Sequence, residues 1–170
     1  MFQGKVSVFV LLITLVFSLG EASSEEWRSY LNGRFGISVD VPAEFQAQEA
    51  PTNDDGRLFS SVTSGASLLV FGAYNVFDQS PAAYLSELVS SPDVFTSVEY
   101  QRQGRDWIVA SGFLGDDIVY QKTVFSCGGE VLSTLTLTYP KSDKTRMDPV
   151  VTRVSKSLKA GRGYGTPDGC

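Results

Sequence analysis

Residues 106–139 read DWIVASGFLGDDIVYQKTVFSCGGEVLSTLTLTY, and this stretch decides the fold class of the chain. Its strand-forming runs are separated by the turn formers Gly115-Asp116 and Cys127-Gly128-Gly129-Glu130. Turns at such short intervals predict antiparallel hairpins. In the last run, from Val131 to Tyr139, apolar residues alternate with polar ones, which is typical of a strand with one buried and one polar face.

More strands are predicted upstream of this meander. Residues 57–62, 67–74 and 96–103 have strand composition and are bounded by turn residues. Residues 35–41 alternate between apolar and small or polar side chains until Pro42 ends the run. The sequence therefore predicts roughly seven strands in one antiparallel sheet.

Two helices complete the predicted elements. Ser80 and Pro81 suit the N-cap and first position of a short amphipathic helix. Asp148 and Pro149 predict the start of a second helix in the same way, with Gly161 as its stop. Strands followed by a few helices indicate an α+β fold, in which helices pack on an antiparallel sheet.

The first 22 residues have the parts of a secretory signal peptide. Lys5 supplies the positive charge, an uncharged apolar run follows from Val6 to Leu19, and Gly20-Glu21-Ala22 offers small residues for cleavage. This run is shorter than the roughly 20 residues that a membrane-spanning helix needs. We therefore expect an exported protein, periplasmic or secreted, with no stable membrane insertion after cleavage.

The rest of the chain has the composition of one folded domain. Hydrophobic residues make up 42% and charged residues 19% of the sequence, which is enough apolar material for a core. We expect residues 1–22 to be the signal peptide, residues 23–162 a single domain and residues 163–170 a Gly-rich C-terminal tail.

Charge and histidine content exclude several function classes. The net charge is −5, which disfavours nucleic acid as a partner because phosphates require clustered Lys and Arg. The chain has no histidine, so Ser-His-Asp and Cys-His hydrolysis and His-ligated metal sites are excluded. No metal, cofactor or catalytic residue is predicted from any motif.

The chain has two cysteines, Cys127 and Cys170. They are too far apart in sequence for a C-x-x-C redox pair and too few for a thiolate metal site. Both follow the signal peptide, and an oxidising compartment favours pairing, so we predict a Cys127–Cys170 disulfide. A free Cys170, or one bonded to a second molecule, is the competing interpretation.

Two groups of residues are candidates for binding. Large aromatic side chains line many ligand grooves, and Trp27, Tyr30 and Trp107 are the aromatic candidates here, with core packing as the alternative. The oxygen-bearing run Asn53, Asp54 and Asp55 offers calcium ligands, although it is also a normal turn sequence before a strand.

Short pieces of sequence from Trp27 onward follow a characteristic order. These are Trp27, Tyr30, Asn32, Arg34-Phe35-Gly36-Ile37, Val41-Pro42, Phe45, Asn53, Asp55-Gly56-Arg57, Phe59, Trp107-Ile108-Val109, Ser111-Gly112, Tyr120-Gln121-Lys122, Tyr139-Pro140 and Pro149-Val150-Val151. In this order they resemble small exported bacterial domains with a PsbP-like fold. That superfamily includes photosystem II extrinsic subunits, a Ran-binding nuclear-import factor and DcrB-type envelope proteins. The resemblance implies an α/β/α sandwich and an accessory or binding role.

The predicted function is therefore that of a monomeric, non-enzymatic accessory protein. It would bind an envelope protein or a small ligand through one face of its sheet or a cleft beside it. The alternative is a carboxylate-dependent hydrolase or lyase of the cell envelope, since two acids suffice for general acid–base chemistry without histidine.

Overall fold

The computed structural model describes residues 26–161 together with Met1 and Cys170. The predicted signal peptide, beyond Met1, and the predicted tail, apart from Cys170, lie outside the described residues.

Nine strands and two α-helices are present among the described residues. They are β1 (Trp27–Leu31), β2 (Ser38–Pro42), β3 (Phe45–Ala47), β4 (Gly56–Ser61), β5 (Ser67–Tyr74), α1 (Pro81–Ser90), β6 (Ser97–Gln103), β7 (Trp107–Leu114), β8 (Asp117–Ser126), β9 (Val131–Pro140) and α2 (Lys144–Ser157).

Seven of these strands form one antiparallel sheet in the order β3-β4-β5-β9-β8-β7-β6. The predicted antiparallel sheet of about seven strands is therefore confirmed. β1 and β2 form a separate antiparallel hairpin. The prediction of one strand over residues 35–41 is wrong at its start, because Phe35 and Ile37 are buried in the turn that precedes Ser38.

The larger core lies between one face of the sheet and a layer made of α2 and the β1–β2 hairpin. Alternate residues of β9 point into it, among them Val131, Leu135 and Leu137, while Met147 and Val150 enter from α2. These five side chains are at most 1% exposed. Apolar burial of this kind is the main favourable term in folding.

A second core lies on the opposite face of the sheet, where α1 packs against β7 and β6. Ser80 is the N-cap of α1, as predicted, and its hydroxyl accepts a hydrogen bond from the Ala83 backbone N–H at 3.2 Å. Leu85 and Leu88 are buried against the sheet. With helices on both faces, the molecule is a layered α/β/α sandwich.

The second helix begins earlier than the sequence predicts. α2 starts at Lys144, after a 3₁₀ turn over residues 141–143, and Pro149 lies inside it. The earlier start places Met147 in the larger core, and the Lys144 amine bonds the Asp148 carboxylate at 2.8 Å. Burial and this ion pair offset the backbone hydrogen bond that a proline cannot donate. Neither helix among residues 26–161 is long and apolar enough to cross a bilayer.

The edge strand β6 contains a β-bulge. Val98 is opposite Gly112 and Tyr100 is opposite Ser111, so Glu99 is an extra residue with no partner on β7. A Cβ on Gly112 would lie 2.0 Å from the Ser97 carbonyl oxygen, so only glycine fits opposite the bulge.

Candidate functional site

A groove with aromatic walls lies on the sheet face that carries α2, in the area between α2 and β6. We call it the aromatic groove. Its volume is about 390 Å³, and its lining residues are Tyr100, Trp107, Val109, Tyr120, Lys122, Val124 and Ser155. α2 packs mainly on β2, β9 and β8, so the neighbouring part of this face stays open to solvent.

Strand register brings these side chains to one face. Trp107 is opposite Val124, and Val109 is opposite Lys122. Ser111 lies between Tyr100 on one side and Tyr120 on the other. Directly opposite residues of antiparallel strands point to the same face, so three adjacent strands build the floor and one wall. α2 supplies the other wall through Ser155.

Hydrogen bonds to α2 fix the polar groups of the groove. The Lys122 ammonium donates to the Ser155 backbone carbonyl oxygen at 2.7 Å, and the Tyr120 and Ser155 hydroxyl groups are 2.6 Å apart. Burial lowers the pKa of Lys122 and raises the pKa of Tyr120, because in each case desolvation disfavours the charged form. Lys122 remains the one cation among the described lining residues, which include no carboxylate.

Trp107 is the only one of the three predicted aromatic candidates that the groove contains among its described lining residues. Trp27 packs against the larger core, with the Arg153 guanidinium 4.3 Å from its ring centroid. Tyr30 makes an edge-to-face contact with Phe59, at 5.1 Å between ring centroids. The structure therefore places Trp27 and Tyr30 on the β1–β2 hairpin and does not bring them together with Trp107.

Six lining residues were not among the sequence candidates: Tyr100, Val109, Tyr120, Lys122, Val124 and Ser155. The period of two along β8 does place Tyr120, Lys122 and Val124 on one face, and this signal was available in the sequence. The position of Ser155 depends on how α2 packs across the sheet, which no local pattern specifies.

The oxygen-bearing run considered for calcium forms a hydrogen-bonded turn. The Asn53 amide donates to the Asp55 carboxylate at 2.7 Å, and the Asp54 carbonyl accepts a bond from the Asn32 side chain at 2.8 Å. Within residues 26–161 and the two described termini, no group of three or more His, Cys, Asp or Glu residues is placed to hold a metal ion.

The predicted disulfide between Cys127 and Cys170 is present. The two Cα atoms are 5.1 Å apart, within the usual range for bonded cysteines. Cys127 follows the last residue of β8, so the bond ties the C-terminal residue to the β8–β9 connection.

Comparisons with known proteins identify the fold. No protein-family model and no curated protein matches the sequence. Among solved structures, cyanobacterial PsbP (CyanoP) from Synechocystis sp. PCC 6803 is similar with a TM-score of 0.57 and 11% identity, over 86% of this chain and 99% of that one. The Ran-binding protein Mog1p of Saccharomyces cerevisiae is similar with a TM-score of 0.53 and 12% identity, over 80% of this chain and 96% of that one. At such low identity the likeness concerns the fold alone. The chain has a PsbP-like fold, as its sequence resemblance implied.

Proposed function

We propose that this protein is an exported, non-catalytic accessory protein that binds an envelope component, a protein or a small ligand, in the aromatic groove. The observation that carries the proposal is the open groove itself, which Tyr100, Trp107 and Lys122 line together. Tyr100 is 48% exposed, so much of its ring is available for contact.

Aromatic side chains are effective binding groups for two physical reasons. They offer a large apolar area, and they lose little conformational entropy when a partner covers them. In the aromatic groove, Tyr120 is held by Ser155 and Lys122 by the α2 backbone, so these parts of the site are ordered before binding. Preorganisation lowers the entropic cost of association.

Export is supported by the predicted leader and by the disulfide, because disulfides persist mainly in oxidising compartments. The fold is compatible with this role but does not assign a partner. CyanoP and the Ran-binding protein Mog1p share this fold, so the fold by itself does not specify what a protein binds.

The alternative function, a hydrolase or lyase, needs paired acids, and one pair of carboxylates among the described residues shares a partner. The Glu44 and Asp143 carboxylates both lie on the Arg146 guanidinium, at 3.0 Å and 2.9 Å. The Asp143 hydrogen bond, together with Glu44, raises the pKa of Arg146, so the cation between the two acids stays charged. Both carboxylates are thus engaged by the Arg146 guanidinium, and neither acid lines the aromatic groove, which favours binding over catalysis there.

Photo-crosslinking in the protein's native cells tests the binding role. With p-benzoylphenylalanine at position 100, we expect a crosslinked product whose intact mass exceeds that of the protein alone. The increment identifies the bound component as a small molecule or a protein. The same amino acid in place of Val62, which lies in the connection between β4 and β5 and is 58% exposed, serves as the control and should give no product. Equal products at both positions, or none at position 100, would contradict binding in the groove.

Export predicts a defined mature chain. We expect the protein recovered from the extracytoplasmic fraction to begin close to Ser23, since cleavage after Ala22 removes the apolar leader. Intact-mass measurement decides this, and a species in the membrane fraction that begins at Met1 would instead indicate an uncleaved signal anchor.

A further inference from the structure

We propose that the aromatic groove takes a small ligand in which an anionic group is carried on an aromatic or apolar body, and that the anion pairs with Lys122. This inference rests on the proposed function, since it names the ligand class for the same groove.

The first argument is the position of the Lys122 ammonium. An ammonium has three N–H donors. Among the described residues, Lys122 donates one hydrogen bond, to the Ser155 carbonyl, and is absent from the ion pairs. The remaining donors belong to a partly desolvated cation at the floor of an open groove. Burial lowers the pKa of this amine, because desolvation disfavours its charged form.

The second argument is the local charge. The chain as a whole carries a net charge of −5, yet the described lining of the groove contains a lysine and no carboxylate. Outside the lining residues, a second cation contacts one of them, because the Arg102 guanidinium lies 5.3 Å from the centroid of the Tyr100 ring. A positive spot on an acidic protein attracts anions and repels cations, so the site is complementary to negative charge.

The third argument concerns the body of the ligand. Trp107, Val109 and Val124 form apolar surface next to the amine. An inorganic anion would leave that apolar surface exposed to water, whereas a ring attached to the anion would cover the surface and stack on the Trp107 indole. The groove volume of about 390 Å³ lies in the range of small-molecule sites, about 300–1,000 Å³, and this size favours a small ligand over a protein surface.

Two fluorescent dyes with the same ring system separate charge from ring. Anilinonaphthalene sulfonate carries an anionic group, and N-phenylnaphthylamine is its neutral counterpart. With the mature, oxidised protein we expect the sulfonate to bind about tenfold more tightly than the neutral dye, as one charge-assisted hydrogen bond provides. Fluorescence titration gives both dissociation constants.

Variants of the protein locate the effect. Lys122→Met should weaken sulfonate binding about tenfold and leave the neutral dye unchanged, and Lys122→Arg should retain the preference. Lys156→Met removes the same charge from an exposed position of α2 and should change neither constant. Trp107→Ala should weaken both dyes, because it removes apolar surface common to the two.

The outcomes distinguish the two proposals. Equal affinity of the wild-type protein for both dyes, or a sulfonate preference that survives Lys122→Met, would overturn the anionic ligand while binding in the groove stands. Dye binding that Trp107→Ala leaves unchanged would place the dyes elsewhere and count against the groove itself. The comparison of the two dyes on the wild-type protein remains informative even if a variant does not fold.

Discussion

Removal of the Cys127–Cys170 disulfide is expected to lower the free energy of unfolding by about 4 kcal/mol. The bond closes a loop with a sequence separation of 43 residues, and the value is the chain entropy that this closure removes from the unfolded state. The variant to compare carries Cys127→Ala and Cys170→Ala, so that no single thiol remains to pair between molecules. Urea denaturation of the oxidised wild-type protein and of this variant measures the difference.

Reduction provides the matched control for this prediction. A reductant should destabilise the wild-type protein to the level of the double variant and leave the variant unaffected. Non-reducing peptide mapping should recover the peptides of Cys127 and Cys170 linked together. Free thiols at both positions, or a covalent dimer, would show that the bond does not form within one molecule.

Gly72→Ala is expected to lower the free energy of unfolding by about 3 kcal/mol, as overpacking of a rigid core does. A Cβ on Gly72 would lie 2.2 Å from Cγ and 2.4 Å from Cδ2 of Phe35. Phe35 is 2% exposed and contacts the Tyr74 ring, at 5.4 Å between centroids, so its ring has little room to move. Urea denaturation monitored by tryptophan fluorescence measures the loss.

Gly65→Ala is the matched control, because its Cβ would lie 3.4 Å from Cγ of Pro140, the limit of ordinary contact. Its stability should stay within about 0.5 kcal/mol of the wild-type value. Phe35→Leu should cost less in the Gly72→Ala background than alone, since the two sites share one space. If Gly72→Ala is as stable as Gly65→Ala, the Phe35 ring can move to accommodate the added Cβ, and the prediction is wrong.

Local signals predicted the central part of the fold well. β8 occupies residues 117–126 as predicted, and β9 extends the predicted residues 131–139 by one. The reason is that glycine-containing turns lie on both sides of β8 and before β9, and that polar and apolar residues alternate within β9. The Ser80 N-cap was also predictable from local sequence, because an N-cap residue bonds to backbone groups within the first turn of its helix.

Structural features that depend on tertiary packing could not be predicted from local sequence. Asp148 and Pro149 resemble a helix start, but burial of Met147 under the sheet extends α2 toward its N-terminus. The turn before β2 depends on Asn32, whose side-chain oxygen accepts a hydrogen bond from the Phe35 backbone N–H at 2.7 Å. Both features depend on contacts that hydrophobic periodicity and turn composition do not specify.

The candidate site was predictable only in part, and the bulge in β6 explains why. Simple alternation places Val98 and Tyr100 on the same face of a strand. Because Glu99 is an extra residue, Val98 instead packs with the α1 core and Tyr100 joins Trp107 in the aromatic groove. A shift of one residue in strand pairing moves the following side chains to the other face of the sheet. No local sequence pattern in β6 indicates the shift at Glu99.

The same bulge affects how the molecule behaves toward its own copies. β6 is a seven-residue edge strand, and a straight edge of that length offers other chains a continuous row of unpaired N–H and C=O groups. Glu99 interrupts that row and adds a negative charge at the interruption. The edge is therefore a poor template for sheet extension and aggregation, and one extra residue both places Tyr100 in the aromatic groove and interrupts this edge.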